Sequence, residues 1–288
     1  MMKGSIMNVQ LRTEEHYIRK AKFPVFDMRT HWGPIMVGAD YENKYDTGAV
    51  VENLKSYNIC GVFNPDILSA CTGFLYCLQQ AQAFIKAGIY KKIMICSAEK
   101  CSSFMNPADR TTLPLFGDGG SAALIEPSEE YGIQIAKMHA DGAGHDHLIR
   151  RCGGSVNIPS HEAVDQGLHY ILQDGKFVFK NAVTFMTSVV SEVMEEGKLT
   201  LDDIDWICTH QANKRIIDAV REHCNAPEEK VIVNIDHVGN TSSASIPIAL
   251  HEACQEGKIK KGDRILLAAF GSGFTWGSVY LTWGDCKF

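Results

Sequence analysis

The stretch DILSACTGF, Asp66 to Phe74, marks the point where a short apolar run gives way to a long amphipathic one. The amphipathic run, residues 71–87, has the spacing of a helix, and Cys71 is its first residue. At a helix start, free main-chain N–H groups and the helix dipole stabilise an anion, which lowers the pKa of a thiol. A small residue packed in a tight turn explains the stretch equally well. The stretch alone therefore does not show whether Cys71 is a nucleophile or a packed turn residue.

The composition is that of an ordinary globular protein of 288 residues, 45% hydrophobic and 22% charged. The net charge of −6 argues against nucleic acid as the main partner. Residues 1–16 contain no apolar h-region, and no apolar run reaches the ~20 residues of a membrane helix. We therefore expect neither a secretory signal nor a membrane span. Ten cysteines without a Cys-x-x-Cys pair predict reduced thiols and a cytoplasmic location.

The segment GHDHL, with His145 and His147, is the one pattern that suggests a metal site. No cysteine and no third histidine is clustered with it, although zinc sites need three or four such ligands. We expect a solvated loop there, and no metal or cofactor.

Strand-like and helical patterns alternate along the chain. Helices are predicted at 71–87, 178–197, 211–224 and 243–256. Strands are predicted in the segments IMVGA, GVFNPDIL, KKIMICSA, GSAALIEP, IQIAKMHA, DWICTH, KVIVNI, DRILLAAF and SVYLTW. Helices of this length between strands imply crossover connections and a largely parallel sheet. The irregular segment 141–170 is a predicted loop or cap between an N-terminal half, 1–140, and a C-terminal half, 171–288.

The two halves contain a weak internal repeat. Cys71 opens a helix that is followed by the strand IMICSAE and the segment FGDGGSAALIE. Asn240 opens a helix that is followed by the strand ILLAAF and the segment FGSGFTWGSVYLTW. Two α/β units related by a pseudo-two-fold axis bring both helix starts towards one centre, beyond the carboxyl ends of the strands. Cys71 and Asn240 are then predicted to face one pocket, which favours the nucleophile over the packed turn residue.

His210 fits the same pattern because it ends the predicted strand DWICTH and precedes a helix. A histidine beside a cysteine activates the thiol or donates a hydrogen bond to a substrate carbonyl. His237, three residues before Asn240, is the rival candidate. It ranks lower because it precedes a turn and does not end a strand.

Five blocks of the sequence resemble the conserved blocks of the β-ketoacyl-ACP synthase III family. They are DILSACTGF, NPADRTTLPLFGDGGSAAL, THQANKRI, GNTSSASIP and FGSGFTWGS. The resemblance runs in order from about residue 59 to the C-terminus. It implies the thiolase fold, in which two pseudo-duplicated α/β halves form a five-layered αβαβα sandwich.

The resemblance also implies a reaction. In that family the cysteine carries the acyl group and the histidine and asparagine assist decarboxylative condensation, roles that fall on Cys71, His210 and Asn240. A thioester primer exchanges onto the cysteine, and malonyl-ACP then loses carbon dioxide to give the enolate that attacks it. The main-chain N–H groups of Cys71 and Ser272 match the family's oxyanion hole. The family commonly has Gly at the latter position, which Ser can replace because the donor is the main chain.

The family's partners give four further expectations. Arg110 matches the arginine that contacts the nucleotide of acyl-CoA. Lys180 and Arg215, with Lys214 beside them, match basic residues that dock the acidic acyl carrier protein. A cationic rim of this kind reconciles an acidic chain with an acidic partner. The resemblance also implies a homodimer.

The N-terminal part departs from the family. The opening block is absent, and the region before Cys71 is about forty residues shorter than is typical. Trp32 stands in an unrelated context, so the family's CoA-stacking role is not assigned to it. The segment ENKYDTG, Glu42 to Gly48, replaces the turn that usually reaches across the dimer. Because of these differences, the family's nucleotide affinity, acyl-pocket floor and dimer contact are not carried over to this chain.

Two alternatives remain open at the level of sequence. The first is a related acyltransferase or ketosynthase of secondary metabolism that delivers its acyl group to a different acceptor. The second is a partner-dependent subunit of a heteromeric synthase, whose shortened half another chain completes. The intact Cys-His-Asn set argues against the second, because a subunit without catalysis needs none of the three.

Overall fold

The computed structural model describes residues 66–284, together with the backbone of strands at 6–12, 26–27 and 61–62. The chain forms two compact units. One contains the first strand and the chain from Leu68 onwards. The other contains Phe26–Asp27 and Gly61–Val62, which pair in parallel. The predicted strand IMVGA, Trp32 and the segment Glu42 to Gly48 lie outside the described residues.

The strands are β1 Ile6–Arg12, β2 Phe26–Asp27, β3 Gly61–Val62, β4 Ile93–Lys100, β5 Asp118–Ser128, β6 Gly132–Ala140, β7 Leu148–Arg150, β8 Ile171–Gln173, β9 Trp206–Thr209, β10 Val231–Ile232, β11 Arg264–Gly271 and β12 Thr275–Thr282. The helices are α1 Gly73–Lys86, α2 His161–Asp165, α3 Gly175–Gly197, α4 Lys214–His223, α5 Ile235–Val238 and α6 Ser245–Gln255. The four predicted long helices are all present, with ends shifted by up to three residues. None of the described helices combines the length and the hydropathy that crossing a bilayer requires.

Two sheets organise the larger unit. The first has the order β1-β5-β4 and is antiparallel throughout. The second has the order β10-β9-β11-β12-β6, with β10, β9 and β11 parallel and the remaining pairs antiparallel. The expectation of a largely parallel sheet is therefore wrong for these strands. In both halves the chain returns antiparallel to the strand it has just left, after residues 101–117 between β4 and β5 and after a short turn between β11 and β12.

The internal repeat has a structural counterpart. In one half α1 is followed by β4 and its antiparallel neighbour β5, and in the other α6 is followed by β11 and β12. Helices α1 and α6 bury apolar side chains in one core with both sheets: Leu75, Leu78, Ile125, Ile246, Leu250, Ile265 and Leu267. Each such side chain contributes about 1.5–3 kcal/mol when fully buried. This central helix layer places the starts of α1 and α6 side by side.

A second core covers the other face of the five-stranded sheet. Helices α3 and α4 pack there through Met186, Val190, Val193, Ile216 and Val220 against Leu266 and Phe270 of β11. Four layers are thus defined: the first sheet, the central helices, the second sheet and the outer helices. The fifth layer of the predicted sandwich falls outside the described residues.

The segment 141–170 is more ordered than its sequence indicates. It contains a 3₁₀ turn at Gly142–His147, strand β7 and helix α2. Strand β7 pairs in antiparallel fashion with β8, which forms the β7–β8 hairpin, and Leu148 and Ile171 of this hairpin pack in the second core. Strand β6, which the prediction assigned to the N-terminal half, pairs with β12 in the sheet of the C-terminal half.

Candidate active site

Cys71 lies in a 3₁₀ turn, Ala70–Thr72, that runs directly into α1. Ala70 has a φ of +45°, a left-handed conformation that turns the chain sharply just before the cysteine. The turn is held by Thr72, whose hydroxyl donates to the carbonyl oxygen of Ser69 at 2.7 Å and lies 2.7 Å from the hydroxyl oxygen of Thr275. The nucleophile candidate is therefore fixed from both halves of the molecule.

Gly271, the last residue of β11, lies against this turn. A Cβ added at Gly271 would lie 3.0 Å from the main-chain nitrogen of Cys71 and 3.2 Å from its Cβ. It would also lie 3.3 Å from the main-chain nitrogen of Thr72. Only glycine allows the end of this strand to pass so close to the cysteine.

The Cys71 thiol is not the spontaneously ionised group that its helix-start position predicts. Burial raises its pKa to about 12, the Ser242 hydroxyl opposes that rise, and the Glu99 carboxylate adds to it. The predicted lowering of the thiol pKa is therefore wrong for the free protein, because removal from water outweighs the helix dipole. At neutral pH Cys71 is a thiol, and its sulfur lies 3.9 Å from the Ser242 hydroxyl oxygen.

His210 stands directly after β9, as predicted, and is 2% exposed. Its main-chain N–H donates to the carbonyl oxygen of Ala268 at 2.8 Å, which extends the parallel pairing with β11 by one residue. Burial lowers the pKa of the imidazole to about 4, so the ring is neutral at physiological pH. Among the described residues its Nδ1 atom has no hydrogen-bond partner. A neutral imidazole here is a hydrogen-bond donor and a poor general base.

Asn240 is 6% exposed and is held on both sides by the main chain of the other half. Its N–H donates to the Leu115 carbonyl oxygen at 2.8 Å, and its carbonyl oxygen accepts from the N–H of Gly117 at 2.9 Å. The side-chain Oδ1 accepts from the N–H of Ser242 at 2.9 Å. Because the oxygen is occupied, the NH₂ group is the part of the Asn240 amide that remains available to a ligand.

The three predicted residues meet in one cavity. Cys71, His210 and Asn240 all line a cavity of about 1010 Å³, which is large enough for a small-molecule ligand. Much of its wall is apolar, formed by Phe104, Leu115, Phe116, Met186, Ile216 and Phe270. An apolar wall with a few polar groups at one point suits an acyl chain whose carbonyl end reaches the cysteine.

Ser272 lines the same cavity, directly after Gly271. Its side-chain hydroxyl donates to the Leu148 carbonyl oxygen at 2.6 Å, so the hydroxyl is occupied. Among the described residues, neither its main-chain N–H nor that of Cys71 donates to another residue. Two free donors beside the thiol have the composition of an oxyanion hole.

Cationic side chains surround the cavity. Arg215 lines it, with its guanidinium 4.9 Å from the centre of the Phe179 ring. Arg110 and Lys180 are exposed near it, Arg110 directly before two lining residues. Lys214 forms an ion pair with Asp218, which partly balances its charge.

Two further cations, Arg150 and Lys176, line the cavity and were not predicted. Arg150 lies over the Phe104 ring at 5.2 Å and donates to the His169 carbonyl oxygen at 3.0 Å. Arg150 belongs to β7 and Lys176 to the start of α3. No local sequence pattern indicates a binding site in either element.

The other histidine candidates lie outside the cavity. His237 is exposed and pairs with Asp236 and Glu252, whose carboxylates raise its pKa. His147 stacks on the ring of Phe177, with 3.6 Å between the ring centres. His145 is exposed on the 3₁₀ turn before β7, and no group of metal-ligating side chains was found among the described residues.

The fold and this site define a thiolase-fold condensing enzyme of the acyltransferase class, and comparison with known proteins agrees. Residues 65–143 match the model of the 3-oxoacyl-[acyl-carrier-protein (ACP)] synthase III family, and residues 194–283 match the model of its C-terminal domain. A β-ketoacyl-[acyl-carrier-protein] synthase III of Porphyromonas gingivalis is 48% identical over 226 residues, which cover 78% of this chain and 67% of that protein. A β-ketoacyl-[acyl-carrier-protein] synthase III of Chlorobium luteolum is 47% identical over 221 residues, which cover 76% of this chain and 67% of that protein.

Solved structures give the same result. The 3-oxoacyl-[acyl-carrier-protein] synthase III of Aquifex aeolicus has a TM-score of 0.70 at 40% identity, covering 82% of this chain and 71% of that one. The β-ketoacyl-[acyl-carrier-protein] synthase III of Thermus thermophilus has a TM-score of 0.72 at 40% identity, and the match covers 83% of this chain and 73% of that one. The chain belongs to the β-ketoacyl-ACP synthase III family, whose members are condensing enzymes of fatty acid synthesis. The predicted fold class and activity are confirmed.

Proposed function

We propose that Cys71 carries the acyl group of a decarboxylative condensation in which His210 and Asn240 stabilise the enolate. The observation that carries this proposal is the shared cavity, where a neutral imidazole and a free amide NH₂ accompany the thiol. The primer is an acyl-CoA and the extender is malonyl-ACP, the substrates that the family uses.

In the first half-reaction the sulfur of Cys71 attacks the carbonyl carbon of the acyl-CoA. The main-chain N–H groups of Cys71 and Ser272 receive the oxyanion of the tetrahedral intermediate. The bond to the CoA sulfur then breaks, and the thiol proton leaves with the CoA thiol. Because the pKa of Cys71 is about 12, this proton is lost during attack and not beforehand.

In the second half-reaction malonyl-ACP loses its carboxylate as carbon dioxide, and the bonding electrons pass into a thioester enolate. His210 Nε2–H and the Asn240 amide donate to the enolate oxygen. The enolate carbon attacks the acyl carbonyl carbon, the bond to Cys71 breaks, and the thiolate takes up one proton. The products are β-ketoacyl-ACP, carbon dioxide and the free enzyme.

The test separates the two half-reactions with three variants. Acyl-enzyme formation is followed by intact mass after incubation with a panel of acyl-CoAs, and carbon dioxide release is followed from malonyl-ACP. Cys71→Ser is expected to abolish acyl-enzyme formation and, with it, the formation of β-ketoacyl-ACP. His210→Ala and Asn240→Ala are expected to retain acylation and to lower carbon dioxide release by about 10²–10³, because each removes one donor to the enolate.

The opposite pattern would overturn the assignment. If Asn240→Ala left carbon dioxide release unchanged while acylation was lost, Asn240 would serve the acyl group and not the enolate. An acyltransferase with a different acceptor would then be the better description of the protein.

Carrier docking is the second part of the proposal. Arg110, Lys180 and Arg215 are exposed cations near the cavity and form no ion pair among the described residues, whereas Lys214 is paired with Asp218. Arg110 is assigned to the CoA nucleotide and the other three to the acidic carrier protein. Charge reversal at Lys180 or Arg215 is expected to raise KM for malonyl-ACP, with a steep dependence on salt, and to leave KM for acyl-CoA unchanged.

The third part of the proposal is that the protein is a homodimer and is located in the cytoplasm. Leu68, three residues before Cys71, is 97% exposed, and Met94 on β4 is 51% exposed. A second copy of the chain would remove such apolar surface from water. The cysteines within the described residues are free thiols, as a reducing compartment requires. Light scattering at micromolar concentration tests the assembly, and a monomer mass would contradict it.

A further inference from the structure

Glu99 is a carboxylate beside the site to which the condensation mechanism assigns no role. It lies near the end of β4 and is half-buried. Its Oε1 atom accepts two hydrogen bonds from Ser243, one from the main-chain N–H at 3.2 Å and one short bond from the hydroxyl. No lysine or arginine of the described residues forms an ion pair with Glu99. A carboxylate that accepts twice from one residue is a strong restraint on that residue.

Ser243 lies at the centre of the turn that carries the site. It belongs to a 3₁₀ turn, Ser242–Ala244, between Asn240 and the start of α6. A Cβ added at Gly73, the first residue of α1, would lie 3.3 Å from the Cβ of Ser243. Ser243 is therefore held between β4 on one side and the start of the helix that follows Cys71 on the other.

Ser242, the residue before Ser243, contacts both Asn240 and Cys71. Ser242 donates its N–H to Asn240 Oδ1, which leaves the amide NH₂ of Asn240 available to a ligand. Its hydroxyl lies 3.9 Å from the sulfur of Cys71. Ser242 has a φ of +51°, a left-handed conformation that a non-glycine residue keeps only when neighbouring contacts hold it. The bonds from Ser243 to Glu99 are contacts of that kind.

We propose that Glu99 is a positioning residue for the condensation step, which acts through Ser243 to hold the Asn240–Ala244 turn against Cys71. The inference rests on the proposed function. Glu99 comes from the N-terminal half and Ser243 from the C-terminal half, so the bond fixes the two halves of the site in one arrangement.

The charge of Glu99 gives a second, independent consequence. The titratable groups around the Cys71 thiol are Glu99 on β4, Cys101 in the following turn and His210 after β9, and the imidazole is neutral. A negative charge near a thiol favours its protonated form. Removing that charge lowers the pKa of Cys71, so a larger fraction is thiolate at a given pH.

The decisive variant is Glu99→Gln, which keeps the shape and removes the charge. Carbon dioxide release from malonyl-ACP is expected to fall by about ten- to a hundredfold in kcat, since hydrogen bonds to a charged group are replaced by weaker ones. KM for malonyl-ACP should stay unchanged, because Glu99 contacts no substrate. Acyl-enzyme formation should persist, and the pH profile of Cys71 alkylation by iodoacetamide should move to lower pH.

Two further variants separate position from charge. Ser243→Ala loses the hydroxyl bond but keeps the carboxylate, so it should lower carbon dioxide release without moving the alkylation profile. Glu126→Gln changes a carboxylate on the neighbouring strand β5 that pairs with Lys92. As the matched control it should leave both measurements at the wild-type values. If Glu99→Gln does not fold, Ser243→Ala carries the kinetic test.

The outcomes are distinct. Wild-type kcat together with an unmoved alkylation profile in Glu99→Gln would overturn the inference, as would wild-type carbon dioxide release in Ser243→Ala. A lower melting temperature with unchanged kcat would show a role in stability only and would also overturn it. If the wild-type protein itself neither takes up an acyl group at Cys71 nor releases carbon dioxide, the proposed function fails first and the inference fails with it.

Discussion

Replacing Gly271 with alanine should displace the nucleophile Cys71 without changing any catalytic side chain. The new methyl group would lie 3.0–3.3 Å from three atoms of Cys71 and Thr72, two of which are main-chain nitrogens. Favourable contacts between such atoms are about 3.5–4.0 Å, so the 3.0 Å contact requires the strand and the turn to separate by about 0.5 Å or more. A flexible side chain could yield at little cost, but a main chain that is held from both sides cannot.

The size of the effect follows from that displacement. Overpacking of this kind costs about 1–3 kcal/mol in the free energy of unfolding. A misplacement of about 1 Å can cost a hundredfold in rate, so half that distance predicts a loss of about tenfold in acylation of Cys71. The shift also moves the N–H of Cys71, one of the two proposed oxyanion donors.

The assay measures the rate of acyl-enzyme formation by intact mass and the free energy of unfolding by denaturant titration. Gly154→Ala is the matched control, since a Cβ at Gly154 meets no atom within 4 Å. The control should match the wild type in both measurements. Acylation of Gly271→Ala at the wild-type rate would refute the argument that the end of β11 sets the position of Cys71.

Three other changes have expected outcomes. The free energy of unfolding should fall by about 3 kcal/mol as the pH drops from about 6.5 to 4, because the unfolded chain takes up a proton at the ordinary histidine pKa whereas buried His210 takes it up only near 4. Denaturant titration should show a smaller fall in His210→Gln, and an equal fall would contradict this. Ser272→Ala should retain the rate of acyl-enzyme formation within a few-fold, because its donor to the acyl oxyanion is the main chain; a loss of about 10²–10³ would assign the role to the hydroxyl. Gly144→Ala should lower the melting temperature strongly, because its Cβ would lie 2.2 Å from the ring of Phe274, and an unchanged melting temperature would argue against that packing.

The positions of the three central residues could be predicted because each follows from a local signal. Cys71 stands at the junction of an apolar run and an amphipathic helix, and His210 ends an apolar strand. Asn240 precedes a turn of polar residues that starts a helix. Ligand sites in α/β proteins form where strands end and helices begin, beyond the carboxyl ends of the strands. The sequence pattern is therefore enough to predict that these three residues lie in one site.

The protonation states could not be predicted in the same way. The pKa of Cys71 depends on burial by residues from distant parts of the chain, and on Glu99, one of 34 acidic residues with no local mark. The contact of Glu99 with Ser243 joins residues 144 positions apart. The groups within one turn of Cys71 favour the thiolate, but desolvation by residues farther along the chain reverses the sign of the pKa shift.

The β7–β8 hairpin escaped prediction for a different reason. Its strands have three residues each, too few to show an alternating pattern, and they are separated by the irregular segment that contains α2. The hairpin nevertheless supplies Arg150 to the cavity. Short strands of this kind are specified by the contacts they make, which a single sequence does not display.

A thiol with a raised pKa and a histidine with a lowered one are consistent with the order of the proposed reaction. Burial keeps both groups uncharged at neutral pH in the free protein. In the decarboxylation the charge of the malonyl carboxylate passes to the enolate oxygen, so the site has to stabilise an anion that forms only during the step. Neutral donors such as His210 Nε2–H and the Asn240 amide do this without binding the carboxylate of the ground state tightly, whereas an imidazolium would stabilise that carboxylate before it leaves. The same burial thus opposes ionisation of the Cys71 thiol before acylation, and it keeps His210 a neutral donor for the decarboxylation that follows.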